Sequence, residues 1–209
     1  MSLENLFSNP LLDDYIKKVG YRESANLVKL RTHMMNFPGG PMQTAPEVTQ
    51  LLAFLIQTSK AKYVLELGTL GGYSATAMAE ALLEKGKIIT CDHDSHITKI
   101  AKEFWEEFGH KDQIELRLGP ALETLSELLD ENQVFDFMYI DADKKAYDQY
   151  YEYGLKLLKP NGLMVLDNTL QKGKISPEMD ILNQKIHQDN RVISLLLPFS
   201  DGVTLVHKR

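Results

Sequence analysis

Three polar residues in the C-terminal half of the chain have side chains suited to metal binding. Asp141 follows the apolar run 135–140, and Asp167 and Asn168 follow the apolar run 163–166. Two carboxylates and an amide oxygen are hard ligands that suit Mg²⁺ or Ca²⁺, whereas a zinc site would need His or Cys. An acidic residue at a strand end is common, however, and an Asp-Asn pair is often only a turn. The residues alone therefore leave both a metal site and a simple turn open.

A glycine-rich turn, ELGTLGGYS at residues 66–74, follows an apolar run at 63–67. Glycines at such a turn let a ligand approach the backbone closely. The spacing differs from the dinucleotide pattern G-x-G-x-x-G, and no Gly-Lys-Ser/Thr follows as in a P-loop. Glu66 would repel a pyrophosphate but attract a cationic ligand, so the turn favours such a ligand. A plain tight turn is the alternative.

Asp92 ends the second apolar run of this region. An acidic side chain at the tip of a second strand can accept hydrogen bonds from ribose hydroxyls. The alternative is an acid near the start of the next helix, a role for which Asp94 and Ser95 are better candidates. Asp92 therefore indicates a cofactor that contains adenosine, without identifying it.

The elements that position these residues alternate between strand and helix. Apolar runs at 63–67, 88–91, 114–118, 135–140 and 163–166 are separated by helical segments at 74–85, 95–108, 121–129 and 146–158. Strands that are buried on both faces and separated by helices form a parallel sheet with right-handed crossovers. All strand C-termini then open on one edge, where ligands bind. We therefore expect Asp141, Asp167 and Asn168 to converge on the edge that also carries Gly68 and Asp92.

The two ends of the chain complete the fold prediction. Residues 11–37 form a helical segment that ends at the breaker cluster 37–41, and a second helix should begin near Pro46 with Thr44 as its cap. A helix at 177–188 precedes two runs, 192–197 and 203–207, whose short linker requires an antiparallel pair. The predicted fold is α/β: a doubly wound, Rossmann-like, seven-stranded and mainly parallel sheet that ends in an antiparallel hairpin.

We expect one domain over residues 1–209, with a helical extension at 1–60 and the cofactor-binding core at 61–209. The extension has no partner in the sheet pattern, which suggests a dimer interface or a lid.

Composition excludes several classes of protein. The 209 residues carry a formal net charge of -6 without a basic run, which argues against nucleic-acid binding. Cys91 is the single cysteine, so no intrachain disulfide can form and a reducing compartment is expected. No stretch reaches the roughly 18 apolar residues of a membrane span, and the N-terminus does not look like a signal peptide. We therefore expect a cytoplasmic protein without a nucleic-acid or membrane partner.

From about residue 42 to the C-terminus the chain resembles the caffeoyl-CoA and catechol O-methyltransferases, the cation-dependent class I enzymes that use S-adenosylmethionine. The matching segments are PEVTQLL at 46–52, VLELGTLGGYSA at 64–75, GPALETL at 119–125, YIDADKKAYDQYY at 139–151, LKPNGLMVLDNTL at 158–170 and LPFSDGVTLVHKR at 197–209. The order and spacing of six segments make the resemblance specific.

The resemblance implies a set of site residues. Those that would line the S-adenosylmethionine pocket are Met42, Thr44, Glu66, Gly68, Ser74, Asp92, Ala121, Asp141 and Tyr150. Asp141, Asp167 and Asn168 would hold the divalent cation, with Mg²⁺ preferred over Ca²⁺ or Mn²⁺, and Lys144 would be the catalytic base or charge partner. The acceptor would be a phenolic, catechol-like small molecule, and a homodimer is expected.

The chemistry of methyl transfer agrees with these roles. A free phenol titrates near pH ~10, so presenting its anion at pH 7 costs roughly 4 kcal/mol. A divalent ion bound to vicinal oxygens can offset that cost and fix the attack geometry. Lys144 follows Asp141 by three residues and can reach the same edge, where a nearby cation favours general-base work. Without the motif, Lys144 would be interpreted as a solvated lysine at a helix start.

Two departures from the family pattern concern the acceptor. Gln171 stands where the family usually places an aromatic residue, and segment 172–179 is shorter than the substrate loop of the plant enzymes. The acyl-CoA specificity of those enzymes is therefore not carried over. One alternative is a metal-independent class I methyltransferase, which would keep Glu66 and Asp92 but have no use for Asp167 and Asn168 beside Asp141. The other is an S-adenosylmethionine-binding protein without catalysis.

Overall fold

The computed structural model describes residues 10–83, 86–171, 175–198 and 200–209. Within them, one mixed sheet of seven strands has the order β3-β2-β1-β4-β5-β7-β6. Strands β1 to β5 pair in parallel, and β7 is antiparallel to both β5 and β6. The strands are β1 (Tyr63–Leu67), β2 (Lys87–Asp92), β3 (Ile114–Leu118), β4 (Phe135–Ile140), β5 (Leu158–Asp167), β6 (Val192–Leu197) and β7 (Val203–Lys208). The predicted fold class is confirmed.

Helices cover both faces of the sheet. In chain order they are α1 (Pro10–Val19), α2 (Ala25–Met34), α3 (Pro46–Ser59), α4 (Tyr73–Ala81), α5 (Ser95–Glu107), α6 (Ala121–Asp130), α7 (Tyr147–Leu157) and α8 (Pro177–Gln188). Two short 3₁₀ turns lie at Gly40–Met42 and Lys144–Ala146. Among these described residues, none of the helices is long and apolar enough to cross a membrane.

Alternation along β4 shows how the two layers are built. Met138 and Ile140 pack into a core cluster with residues of α6, α7 and α8, while Phe137 and Tyr139 pack into a second cluster with residues of α3, α4 and α5. Successive side chains of a strand point to opposite faces, so the consecutive buried residues 137–140 can serve two cores. The site residues at the end of β4 are therefore held from both sides.

The prediction of one helical segment over residues 11–37 is wrong. Helix α1 ends at Val19 and α2 begins at Ala25. Ser24 is extended and its hydroxyl accepts a hydrogen bond from the N–H of Leu27 at 3.2 Å, which caps a new helix. Gly20 also has a low helix propensity, so the periodicity of the apolar residues does not carry through this stretch.

Thr44 does not cap α3, contrary to prediction. The cap residue is Ala45, without a side-chain hydrogen bond, and Pro46 takes the first helical position, where no N–H is needed. The hydroxyl of Thr44 instead lies 3.1 Å from that of Tyr139 in the sheet.

The expectation that the N-terminal helices lack a partner is wrong for α2 and α3. Leu27, Leu30 and Met34 of α2 form a cluster with residues of α4 and α5. Helix α3 packs onto the sheet through Val48, Leu52 and Ile56. Both helices therefore belong to the layer that supports the site, whereas α1 leaves Tyr15, Ile16 and Val19 exposed.

Candidate active site

The carboxyl ends of the parallel strands open into a cavity of about 990 Å³. Most of the predicted cofactor positions line it, together with Lys144 and Asn168: Met42, Thr44, Gly68, Ser74, Asp92, Ala121, Asp141 and Tyr150. Two predicted residues do not line the cavity, because Glu66 and Asp167 are buried, with 0% and 2% of their surface exposed. The structure therefore brings the predicted positions together, with these two acids beneath the surface.

Asp92 holds the glycine-rich loop. Its Oδ2 accepts hydrogen bonds from the N–H groups of Thr69 and Leu70 at 3.0 and 2.8 Å, and its Oδ1 accepts one from the N–H of Asp94 at 2.9 Å. A carboxylate offers about four acceptor positions. Asp92 therefore shapes the loop and also lines the cavity, and its role as acceptor for a ribose hydroxyl stays a prediction.

Glu66 is a buried acid with one unpaired oxygen. Its Oε2 accepts a hydrogen bond of 2.5 Å from the Thr90 hydroxyl, which lies 2.6 Å from that of Thr69. Its Oε1 makes no hydrogen bond of good geometry to any residue within the described ranges. Burial raises the pKa of Glu66 to about 8, against the opposing effect of the Ser74 and Thr90 hydroxyls. An unpaired buried acceptor is costly, so this oxygen fits a donor or a positive charge supplied by a cofactor.

Lys144 lies against Asp141 and a buried tyrosine. Its Nζ donates to Oδ1 of Asp141 at 2.9 Å and to the hydroxyl of Tyr147 at 2.6 Å, and it lies 4.6 Å from the centre of that ring. Asp143 begins the 3₁₀ turn that carries the lysine and accepts a hydrogen bond from the N–H of Lys145 at 3.3 Å. Burial raises the pKa of Tyr147 well above its usual range, so its hydroxyl stays protonated. Lys144 is thus held at the cavity wall as the charge partner of Asp141.

Asp167 is fixed through both of its oxygens. Oδ1 accepts a hydrogen bond from the N–H of Asn168 at 2.7 Å, and Oδ2 accepts one from the hydroxyl of Tyr139 at 2.7 Å. Burial and the nearby carboxylate of Asp141 raise the pKa of Asp167. The turn that follows places Asn168 at a positive φ of 58°, which Asn tolerates better than most residues.

The donor chemistry of Asp141, Asp167 and Asn168 fits a hard divalent cation. The carboxylate of Asp141 disfavours the charged form of Asp167, a repulsion that a cation would relieve. No group of three or more His, Cys, Asp or Glu side chains suited to a metal ion occurs in the part of the chain that the structure describes. The predicted set has only two acids, and its third member is an amide.

Sequence reasoning missed Tyr139 and Tyr147. The hydroxyl of Tyr139 donates to the carboxylate of Asp167, and that of Tyr147 lies within hydrogen-bond distance of the backbone carbonyl of Asp167. Both are buried, with 0% of their surface exposed. The available signal was a hydroxyl-bearing residue two positions before Asp141 in the apolar second half of β4, residues 137–140. The substrate-loop prediction is only partly testable, since residues 172–174 lie outside the described ranges. Gln171 is described: it has a φ of 43°, and its N–H donates to the carbonyl of Asp201 at 3.0 Å.

Comparisons with known proteins identify the family of the chain. A protein-family model described as O-methyltransferase matches residues 17–209. The chain is 39% identical over 211 residues to catechol O-methyltransferase domain-containing protein 1 of Mus musculus, a match that covers 96% of this chain and 80% of that protein. It is 38% identical over 179 residues to probable caffeoyl-CoA O-methyltransferase 2 of Dictyostelium discoideum, covering 80% and 78% of the two chains. Among solved structures, the O-methyltransferase from Bacillus cereus in complex with SAH has 27% identity and a TM-score of 0.86, with 100% of both chains covered.

Proposed function

The chain belongs to the caffeoyl-CoA and catechol family of S-adenosylmethionine-dependent O-methyltransferases, and we propose that it methylates one hydroxyl of a catechol-like small molecule with the help of a divalent metal ion. The observation that carries the proposal is the hydrogen-bonded pair of Lys144 and Asp141 at the cavity, which Asn168 also lines and beneath which Asp167 is buried. Such a pair offers a base and hard ligands where the acceptor must lie.

The cofactor and the cation would supply two kinds of chemistry when bound: S-adenosylmethionine carries a methyl group on a sulfonium, and a divalent cation such as Mg²⁺ lowers the cost of ionising an acceptor hydroxyl. Residues of the chain would position both. Asp141, Asp167 and Asn168 would hold the cation. Glu66 would face the cationic part of the cofactor, and Asp92 would accept a ribose hydroxyl.

Lys144, as a neutral amine, would take the proton of the acceptor hydroxyl. The proton would then stay on Nζ of Lys144, and the ionised acceptor oxygen would receive the methyl group that S-adenosylmethionine supplies. The contact to the buried Tyr147 hydroxyl, at 2.6 Å, fixes where that amine lies. General-base positioning of this kind contributes about 10²–10⁴-fold to a rate.

The acceptor is proposed to be a vicinal diol because two adjacent oxygens can share one cation. The names of the mouse and Dictyostelium relatives include catechol and caffeoyl-CoA, respectively. The departures at Gln171 and segment 172–179 favour a free catechol-like molecule over an acyl-CoA ester.

The test is turnover of a catechol before and after EDTA treatment, scored by the mass gain of one methyl group. We expect turnover to disappear with EDTA and to return when Mg²⁺ is added in excess. An unchanged rate in EDTA would support a metal-independent class I methyltransferase instead. Calorimetric binding of SAH, run in parallel, separates loss of the metal from loss of the fold.

We also propose that the protein forms a homodimer and is cytoplasmic. We further propose that it folds as a single domain that includes the helical extension. Ile193 and Leu195 are 58% and 55% exposed on the edge strand β6, which supports an interface between subunits. A monomer peak in light scattering across micromolar concentrations would contradict the dimer. Cell fractionation tests the location, and a single thermal transition is expected for one domain.

A further inference from the structure

The hydroxyl of Tyr139 lies between the loop before α3 and the acid at the end of β5. It donates to Oδ2 of Asp167 at 2.7 Å, and the Thr44 hydroxyl lies 3.1 Å away on its other side. Because Tyr139 has one proton and gives it to the carboxylate, Thr44 is the donor in the second contact. Three side chains therefore form a directed chain from Thr44 through Tyr139 to Asp167.

This chain of hydrogen bonds joins two parts of the site that are distant in sequence. Thr44 lines the cavity at the predicted cofactor loop, next to the 3₁₀ turn Gly40–Met42. Asp167 is 2% exposed and belongs to the proposed cation ligands. Along the polypeptide the two residues are separated by more than half of the sequence. The two hydrogen bonds that meet at the Tyr139 hydroxyl link them directly.

Packing alone does not explain a tyrosine here. Tyr139 is 0% exposed and its ring packs among apolar residues of the α3, α4 and α5 layer, where a phenylalanine would fill nearly the same space. A phenylalanine would leave Oδ2 of Asp167 without the hydrogen bond that the Tyr139 hydroxyl donates at 2.7 Å. The polar atom is therefore retained in the core for the bond that it makes.

We propose that Tyr139 is a positioning residue that fixes the orientation of Asp167 for the divalent cation and, through Thr44, couples cation binding to cofactor binding. The inference rests on the proposed function, since it needs a cation at Asp167. Partners that orient a metal ligand in this way typically contribute about 10–100-fold to metal affinity. Coupling between two ligands is reciprocal, so each must change the affinity of the other by the same factor.

The first experiment measures Mn²⁺ binding to the whole protein by the loss of the free Mn²⁺ signal in electron paramagnetic resonance. Tyr139→Phe should raise the Kd for Mn²⁺ by about 10–100-fold. The KM for Mg²⁺ should rise in parallel, while kcat at saturating Mg²⁺ stays near that of the wild type. A purely structural role would instead lower kcat and the melting temperature together.

The second experiment measures the coupling. The Kd for Mn²⁺ is determined with and without saturating SAH, and the Kd for SAH with and without Mn²⁺. In the wild type the ratio of the two Mn²⁺ Kd values should equal the ratio of the two SAH Kd values, and both ratios should differ from one. Thr44→Val keeps the bond between Tyr139 and Asp167, so it should leave Mn²⁺ affinity without SAH near the wild-type value while moving the ratio toward one.

Tyr151→Phe is the matched control. Tyr151 is also 0% exposed, and its hydroxyl donates to a carboxylate, that of Asp189, at 2.9 Å. It should leave both the Mn²⁺ affinity and the ratio unchanged.

The outcomes distinguish this inference from the proposed function. If the wild type fails to bind Mn²⁺, the metal site and this inference both fall. If the wild type binds Mn²⁺ but Tyr139→Phe binds it within about twofold of the wild type, this inference alone is overturned. If Tyr139→Phe does not fold, Thr44→Val decides between the outcomes. A ratio of Mn²⁺ Kd values with and without SAH equal to that of the wild type would overturn the coupling, and with it the role of the hydrogen bonds from Thr44 through Tyr139 to Asp167.

Discussion

The backbone of Gly68 lies against that of Asp141 so closely that a Cβ at residue 68 would be 2.0 Å from the Asp141 carbonyl oxygen. Neighbouring bonds hold this approach: the N–H of Asp141 donates to the carbonyl of Leu67 at 2.9 Å, and that of Gly68 donates to the carbonyl of Cys91 at 2.9 Å. Gly68 also has a φ of 96°. The turn into the glycine-rich loop therefore depends on the absence of a side chain at this residue.

Gly68→Ala should damage both stability and the site. The new Cβ would meet a backbone atom, which cannot move cheaply, and the positive φ adds strain. We expect a loss of at least about 3 kcal/mol in the free energy of unfolding, measured by urea denaturation, and weaker SAH binding. Gly109→Ala is the control, because Gly109 has a φ of 79° with nothing within 4 Å of an added Cβ. It should lose only about 1–2 kcal/mol from strain. Equal losses in the two variants would contradict the close approach.

Lys144→Met should remove the proposed base without removing the cofactor site. The rate of methyl transfer in a single turnover should fall about 10²–10⁴-fold, while the Kd for SAH stays within about threefold, because the loop residues that would bind it are untouched. Lys145→Met is the matched control: Lys145 is the next residue and is exposed. If both variants retain the wild-type rate, Lys144 is not the base.

Cofactor binding should release a proton from Glu66. With a pKa of about 8, this acid is mostly protonated at pH 7 in the free protein. A cofactor that brings a positive charge or a donor to Oε1 favours the ionised form, so on the order of one proton leaves per molecule bound. Calorimetry of cofactor binding in buffers of different ionisation enthalpy measures this release.

Two further measurements check the source of that proton. At pH 9.5 Glu66 is already ionised, so the release should vanish, and Glu66→Gln should bind more weakly and release no proton at pH 7. A binding enthalpy that is independent of the buffer at pH 7 would argue against the predicted role of Glu66.

The strands and most helices follow from local patterns. Helix α8 begins where the sequence predicts because Ser176 accepts a hydrogen bond from the N–H of Met179 at 3.3 Å and Pro177 starts the first turn. The edge that carries Asp92, Asp141 and Asp167 follows from the rule that parallel strands end on one side of a sheet. Both features depend on information within a few residues or on topology alone.

What could not be predicted depends on contacts between distant residues. Thr44 has the side chain of a helix cap, yet its hydroxyl bonds to Tyr139, which is 95 residues away. Asp92 was expected to serve a ligand, and its bonds to the loop N–H groups were invisible because they require the folded turn. The apolar spacing of residues 11–37 also concealed a break, because periodicity does not register the cap at Ser24.

The last prediction concerns stability at low pH. The guanidinium of Arg191 donates to Glu152 at 3.0 and 2.9 Å and to Asp189 at distances between 2.6 and 3.0 Å. The hydrogen bonds from Arg191 lower the pKa of Glu152 to about 2 and hold that of Asp189 well below its usual range. A lowered pKa in the folded state means that this stabilisation is present above the unfolded-state pKa, near 4, and is lost as the pH falls toward 2.

Arg191→Met should therefore lower the melting temperature at pH 7 by about 2–4 °C, the size expected for an exposed cluster in a chain of this length. Between about pH 5 and pH 2 the difference from the wild type should shrink, because protons that the two acids bind in the unfolded state increasingly offset the ion-pair stabilisation of the folded state. Lys102→Met, at an exposed position of α5, controls for the loss of one positive charge and should show little difference at any pH. A difference for Arg191→Met that stays constant down to pH 2 would mean that the arginine stabilises the fold by packing rather than through its ion pairs.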